Sequence, residues 1–295
     1  HGRAANHARL FAEAAGKTII DCPPIFIHGE EDSGRPGLLA ADYYRGLETY
    51  RRRRNDFLRR NRGWHPHAPD LPLVISCVSR EALSMRATGG AAIYSESVYG
   101  PAVGQWQAFK RMTGLVIAGP NYQHAVEADN VHLAAAGNYY IGEMLAMSIF
   151  SLMFGAGDAR KPMHVKSITR TSATQIDFNV HCPLGNVAFD TTLVTDFADG
   201  SKGVVIWNRD TGARVTVASA AVVDSDTFRL TLAADPGTAN LSADGGLWRE
   251  SSAVANAGPV TGARLCVRCS TAWATTLSGG VDQYDWLIPF QERVP

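Results

Sequence analysis

Ile25-Phe26-Ile27-His28-Gly29-Glu30-Glu31-Asp32 opens the reading of this chain. A short apolar run stops abruptly at a polar turn that contains a glycine. The apolar part, with residues 18–22 before it, predicts a buried strand. A strand that ends in a polar, Gly-containing turn places that turn at the carboxyl edge of a sheet. In parallel α/β folds that edge is where ligands bind. Gly29 lets backbone approach a ligand closely, and His28 has the chemistry to donate to a developing oxyanion. Glu30 is costly to bury unless hydrogen-bonded or paired.

The text around this stretch alternates between two periods. Residues 42–62 predict a long helix with Tyr43, Leu47, Tyr50, Phe57 and Leu58 as core positions. Residues 71–79 predict a strand after a loop over 65–70, residues 98–112 a helix, 115–118 a strand and 130–154 a helix with Ile141, Leu145, Ile149 and Leu152 along its apolar stripe. Strands alternating with helices imply a parallel sheet with crossover helices. The first 17 residues have helical spacing at Leu10, Phe11, Ala14 and Ala15. The opening looks like the inside of a domain, which implies sequence upstream of His1.

Near residue 160 the pattern changes. Residues 155–162 are rich in Gly, Asp and Ala and end in Pro, as a linker would. Beyond them Ile176, Phe178 and Val180 alternate with Asp177, Asn179 and His181, the signature of a half-buried antiparallel strand. Residues 204–207, 215–217 and 228–232 repeat the style, with turns at Asp199-Gly200, Asp210 to Gly212 and Asp235 to Gly237. The expected architecture is an α/β three-layer sandwich with a flavodoxin-like parallel sheet over residues 1–157, followed by an all-β sandwich over 163–295.

Composition narrows the function classes. The chain has 295 residues, 45% hydrophobic and 19% charged, which excludes disorder. Lys plus Arg and Asp plus Glu are 28 each, so no global charge draws it to nucleic acid or anionic lipid. No stretch reaches the roughly 18 apolar residues of a membrane helix. Five cysteines, an odd number, argue against a disulfide framework. Cys22 and Cys77 lie in apolar runs and are expected as buried thiols. Cys266 and Cys269 form half of a zinc site at most. Cys182, His181 or His164 would have to complete it, and strand positions three apart face opposite sides. The arginines from Arg51 to Arg54, with Arg59, Arg60 and Arg62, are expected as a solvated helix face. Trp207, Trp248, Trp273 and Trp286 fall in the β-rich half, where exposed rings would stack on sugars and buried ones would serve the core.

A second polar cluster is Asp129-Asn130-Val131-His132-Leu133, followed by Gly137 and the long helix. Asp and His three apart, in a loop entering a helix, can turn to one cleft. A carboxylate that orients an imidazole is the activating pair for a hydroxyl nucleophile. Short polar residues before a helix also serve as caps.

Together the two clusters resemble the SGNH hydrolase family. His28-Gly29-Glu30-x-Asp32 after a strand is similar to the third conserved block of sialate O-acetylesterase-like and acetylxylan-esterase-like members. Asp129-x-x-His132 with Gly137 resembles the block that holds the triad Asp and His. Asp42-Tyr43-Tyr44, Leu71-Pro72-Leu73-Val74, Gln105 and Gly119-Pro120-x-Tyr122 follow in the same order, so the likeness covers roughly residues 4 to 155. The β-rich half resembles the tail of some phage and bacterial SGNH proteins in residues 258–262, 264–268 and 286–290.

The resemblance implies an esterase that removes O-acetyl groups from carbohydrate. His132 would be the base and Asp129 its orienter, His28 and Gly29 part of the oxyanion hole, and Glu30 and Asp32 substrate-side residues of the same turn. It implies no cofactor and no metal. The implied partner is a carbohydrate or acetylated glycan, not nucleic acid or membrane, met in an extracellular or virion-associated setting that includes a homo-oligomer or virion-like assembly. The family's nucleophile is a Ser in a Gly-x-Ser turn near the domain start. The 27 residues before His28 hold no Ser, and Ser95, Ser97 and Ser201 are poor substitutes. The expectation is a nucleophile upstream of His1. The alternative is a noncatalytic carbohydrate-binding or structural module of a phage-like fibre or spike.

Overall fold

The computed structural model describes residues 7, 10–17, 21–30, 32–34, 37–62, 69–78, 100–129, 132–155, 160–248 and 258–295. Glu31, Ser95, Ser97, Asn130 and Val131 lie outside the described residues, as do 18–20 of the expected first strand, 65–68 of the expected loop and 156–159 of the expected linker.

The first half holds a parallel three-stranded sheet in the order β1-β2-β3: β1 Ile25–Phe26, β2 Leu73–Cys77 and β3 Leu115–Pro120. Ile25 pairs with Val74, and Val74 with Val116. The crossovers contain α1 (Ala40–Arg62) and α2 (Gly100–Arg111), and α3 (Ala135–Phe154) follows β3. All five residues of β2 are buried, as expected for a central parallel strand covered on both faces. Its alternate residues go to different neighbours. Leu73, Ile75 and Cys77 join Tyr43, Leu47 of α1 and Trp106, Ala108 of α2. Val74 instead joins Val116, Ala118 and the α3 residues Ile141, Met144 and Leu145.

Several expectations are corrected at the sheet edge. Residues 25–27 were expected as a buried strand, but Ile25 and Ile27 are 48% and 57% exposed. β1 is the edge strand, two residues long, and Phe26 is its half-buried member. Cys22, expected buried, is exposed, whereas Cys77 is buried. Tyr50, expected in the core, is 39% exposed and stacks on Phe26. Leu10 and Phe11 sit in a helical stretch but face solvent. The helix expected from residue 130 starts at Ala135, because the chain before it pairs with itself: Val126 bridges Leu133, and Ala134 N–H donates to Ala125 O at 2.9 Å.

The described strands of the second half pair antiparallel. Its first sheet has the order β4 (His164–Arg170), β5 (Gln175–His181), β10 (Thr227–Leu232), β9 (Val217–Val222). The second runs β14 (Phe290–Val294), β11 (Leu241–Gly245), β7 (Val204–Asn208), β8 (Arg214–Val215). The third is β13 (Gln283–Trp286), β12 (Val267–Trp273), β6 (Val187–Phe189). The alternation read in β5 is present: Ile176, Phe178 and Val180 are fully buried. The described residues are therefore mixed α/β, with one parallel sheet and three antiparallel sheets among them.

One hydrophobic core runs through both halves. Tyr43, Ile75, Trp106 and Tyr122 belong to the same buried cluster as Phe178, Phe228, Trp286 and Phe290. Polar bonds tie the seam. Tyr122 donates its phenol proton to Leu287 O at 2.7 Å, and Trp106 Nε1 donates to Glu292 Oε1 at 2.8 Å. Arg160 pairs with the buried Asp285. Trp207 and Trp286 are core residues of this structure, 1% and 2% exposed.

Candidate functional site

The turn after β1 is built by close packing. Gly29 has φ +119°, and a Cβ there would lie 2.6 Å from Val78 Cγ2 and 2.8 Å from Tyr43 Oη. Only a residue without a side chain fits both constraints. Ser33 donates to Gly29 O from its backbone N and its Oγ, both at 2.8 Å. Gln105 of α2 staples the ends of β1 and β2: its Nε2 donates to His28 O at 3.3 Å, and its Oε1 accepts from Val78 N at 2.8 Å. Gln105 is 1% exposed, so this bond set is internal scaffolding.

His28 stacks on Phe26 at 4.8 Å between centroids, and its Nδ1 lies 3.3 Å from Tyr43 Oη and 3.5 Å from Asp32 Oδ2. Tyr43 gives its one proton to His28 O at 2.9 Å. Nδ1 is thus the donor toward the phenol oxygen, and Nε2 can donate only when the ring is an imidazolium. Burial pushes the Tyr43 phenol well above its ordinary value; Gln105 opposes the shift, and the carboxylates of Asp32 and Glu30 add to it. The phenol therefore stays protonated and keeps its structural bond. Glu30 is half-buried, and its charge is felt by Tyr43 and Cys77.

The Asp129–His132 pair sits on a hairpin after β3. Besides the Val126–Leu133 bridge, Glu127 N–H donates to His132 O at 2.7 Å. Asp129 uses both oxygens on His132: Oδ2 lies 2.5 Å from Nδ1, and Oδ1 accepts from the backbone N at 2.9 Å. The backbone bond is the capping role, and the ring bond is the orienting one. With Nδ1–H held by the carboxylate, Nε2 is left as the basic nitrogen. The imidazole side chain is 80% exposed and that of Asp129 49%, so the pair faces solvent.

The topology places both motifs at one edge. β1, β2 and β3 are parallel, so the His28 turn and the Asp129–His132 hairpin both follow carboxyl ends, with β2 between them. The structure joins Asp129 to His132 and His28 to Asp32 as contacting pairs. Described serines near this edge serve the scaffold. Ser33 Oγ is bonded to Gly29 O, and buried Ser76, in β2, accepts from Asn121 Nδ2 at 3.4 Å. Ser201 is fully buried in the antiparallel half.

His124 is a residue that sequence reasoning missed. It is 5% exposed, stacks on Tyr140 of α3 at 5.5 Å, and burial pushes it down to about 4, so it is neutral. Its place next to Tyr122-Gln123 was the sole signal. Among the described residues, no group of three or more His, Cys, Asp or Glu is arranged to hold a metal ion. Cys269 and Cys182 are free thiols; Cys269 is buried and shares a hydrogen bond with Cys182. In the basic run, Arg51 and Arg59 reach Asp70 at 2.9 and 2.6 Å. No described helix is long and apolar enough to cross a membrane.

No protein-family model matches the chain. No curated protein matches it either. Among solved structures, the fold resembles that of a carbohydrate acetylesterase. XAC1771, described as a novel carbohydrate acetylesterase from Xanthomonas citri, superposes with a TM-score of 0.52 at 12% identity, over 92% of this chain and 50% of that one. This chain thus spans half the length of the acetylesterase. At that identity the likeness is one of fold, and it includes both the parallel sheet and the antiparallel half. The N-terminal part of the bacterial S-layer protein SbsC also matches, at 12% identity over 44% of this chain and 29% of that one, with a TM-score of 0.24.

Proposed function

We propose that this chain carries the base and part of the oxyanion site of an SGNH-type serine esterase that removes O-acetyl groups from a carbohydrate. The observation that carries the reading is the Asp129–His132 pair, closed at 2.5 Å through Nδ1 at the carboxyl edge of a parallel sheet. The acetylesterase-like fold supports it. In this reading residues 1–157 form a three-layer α/β domain, and 163–295 a β-sandwich that contacts glycan.

A serine hydroxyl attacks the acetyl carbonyl, and His132 Nε2 takes its proton. Asp129 holds the ring and offsets the imidazolium charge. The oxyanion is met by the Gly29 N–H and, when protonated, by His28. Collapse expels the sugar oxygen, which takes the proton from His132 and leaves an acetyl-serine. Water, deprotonated by His132, then releases acetate and restores the serine.

The test uses a fluorophosphonate, which labels activated serines, alongside acetate release from acetylated xylan. Labelling should map the nucleophile by peptide mass. His132→Ala should abolish labelling and lower acetate release by roughly 10⁴-fold. Glycan binding that survives in a protein with neither labelling nor acetate release would favour the noncatalytic module.

A further inference from the structure

Two thiols meet where two sheets of the antiparallel half adjoin. Cys182 directly follows β5 of the first sheet, and Cys269 lies within β12 of the third. Both are free, Cys182 half-buried and Cys269 fully buried. The chain between Cys182 and β6 brings them together. Val187, the first residue of β6, pairs with Cys269. Ser270 N donates to Asn186 O at 2.7 Å, and Asn186 N donates to Ser270 Oγ at 2.9 Å. Gly185 turns with φ +76°, where a Cβ would lie 2.3 Å from Thr271 Oγ1 and 2.7 Å from Ser270 Oγ. Residues 185–187 are thus fastened along β12, and Leu184 N donates to the Cys269 sulfur. At the start of this turn the Cys269 thiol donates its proton to the Cys182 sulfur.

The two sulfurs differ in character. The hydrogen bond from Cys269 holds the Cys182 thiol below its ordinary value; burial and the charges of Asp226 and Asp285 oppose this, and Lys166 adds to it. Both acids are themselves paired, Asp226 with Lys166 and Asp285 with Arg160. Cys269 is pushed up, first by donating to Cys182 and then by burial. The thiolate is the form that attacks a disulfide sulfur. Cys182, reachable from solvent, is therefore fitted to attack, and Cys269, in contact with it, to resolve. Cys266 instead donates to Thr195 O at 3.6 Å, and Cys77 is enclosed in the core.

We propose that Cys182 and Cys269 form a dithiol site that a low-molecular-weight disulfide, such as oxidised glutathione, converts to an intramolecular disulfide stapling β5 to β12. The Cys182 thiolate attacks one sulfur of glutathione disulfide. A protein–glutathione S–S bond forms as the old one breaks, and one glutathione leaves as thiolate and takes up the proton that Cys182 gave to solvent. Cys269 then loses its proton to water, its sulfur attacks that of Cys182, and the second glutathione leaves and is protonated. Two protein thiols thus lose two electrons and two protons, and one glutathione disulfide gains them as two glutathione thiols. The bridge closes a long stretch of chain, which removes freedom chiefly from the unfolded state. Neither thiol belongs to the esterase reading, so the two readings fail separately.

The test incubates the full chain with oxidised glutathione, blocks the remaining thiols with iodoacetamide in denaturant and maps disulfides by peptide mass. Expected is a linked pair of peptides that carry Cys182 and Cys269 and together are lighter by two hydrogens than with free thiols. The thermal midpoint should rise by about 5 °C and fall back with dithiothreitol. Cys269→Ala should halt after the first step and keep one glutathione on Cys182, whereas Cys182→Ala should leave Cys269 reduced. Circular dichroism verifies that each variant is folded, and the map of the unsubstituted chain decides where a variant is not. Cys182 and Cys269 both alkylated after treatment, glutathione retained on Cys182 of the unsubstituted chain, or Cys182 bridged to a different cysteine overturns the proposal. So does a Cys182–Cys269 bridge that leaves the midpoint unchanged or lower.

Discussion

Asp244 is fully buried in the middle of β11, bonded by Ser242 Oγ and Gln291 Nε2 at 3.4 Å each. Burial pushes its carboxyl up to about 7, and the hydrogen bonds from Gln291, Ser242 and Trp207 and the charge of Arg209 only partly oppose this. Between about pH 4 and pH 7 the folded state holds a proton that the unfolded carboxylate, near 3.9, has lost. Stability from this group is therefore complete below about pH 4 and is lost as pH rises through 7. At about 1.4 kcal/mol per unit the swing is on the order of 4 kcal/mol. Asp244→Asn cannot titrate. Urea unfolding at pH 5 and pH 8 should show the variant gaining on the original chain at the higher pH by a few kcal/mol. A constant difference at both values would mean that Asp244 is ionised throughout. Asp129 and His132 answer to different physics: both are exposed, and what fixes them is the local hairpin rather than burial.

α3 shows how one element serves both site and seam. Its start carries Gly137, where a Cβ would lie 3.0 Å from His124 Cβ and 3.4 Å from Ala125 O, so helix and hairpin meet tightly. Two turns on, Glu143 takes Thr275 Oγ1, Thr276 N and Thr276 Oγ1, each at 2.7 Å, and ties the helix to the loop after β12. Burial works against ionisation of Glu143, but the hydrogen bonds from Thr275 and Thr276 outweigh it and hold the carboxyl below its ordinary value. A depressed carboxylate stabilises the fold above its unfolded pKa, and that contribution is lost as pH falls through the folded value. Glu143→Gln should cost about 1–3 kcal/mol near neutrality. A thermal melt series should show its midpoint below the original at pH 7 and the gap narrowing as pH falls through the folded carboxyl's depressed value. A deficit constant along the whole acid series would assign the loss to packing rather than charge.

At the scale of the whole molecule, the shared core makes cooperative unfolding the expectation. Tyr122 and Trp106 of the parallel half are packed with Trp286 and Phe290, and their polar ends are bonded across the seam. Exposing one half would strip apolar area and buried polar partners from the other. Far-ultraviolet circular dichroism and tryptophan fluorescence should report one coincident urea transition. Two separated transitions would mean that residues 1–157 and 163–295 fold independently.

The elements were largely legible in the sequence because their signals are local. Buried β2 is a bare apolar run, β5 alternates with period two, and turns fall at Gly200, Gly212 and Gly237, all with positive φ. The Asp129–His132 contact was equally local, between residues three apart in the sequence. The edge strand was misjudged for the complementary reason: Ile25 and Ile27 are apolar, but exposure depends on whether a neighbour covers them. Periodicity within the sequence determined the parallel and antiparallel halves and the pair of polar motifs. Only the tertiary structure decided that Gln105 staples the His28 turn, that Tyr122 reaches Leu287, and that Gln123 and Asp282 line one cavity. Those contacts join residues 77 to 165 positions apart, and their formation depends on how strands and helices dock, not on any stretch of neighbouring residues.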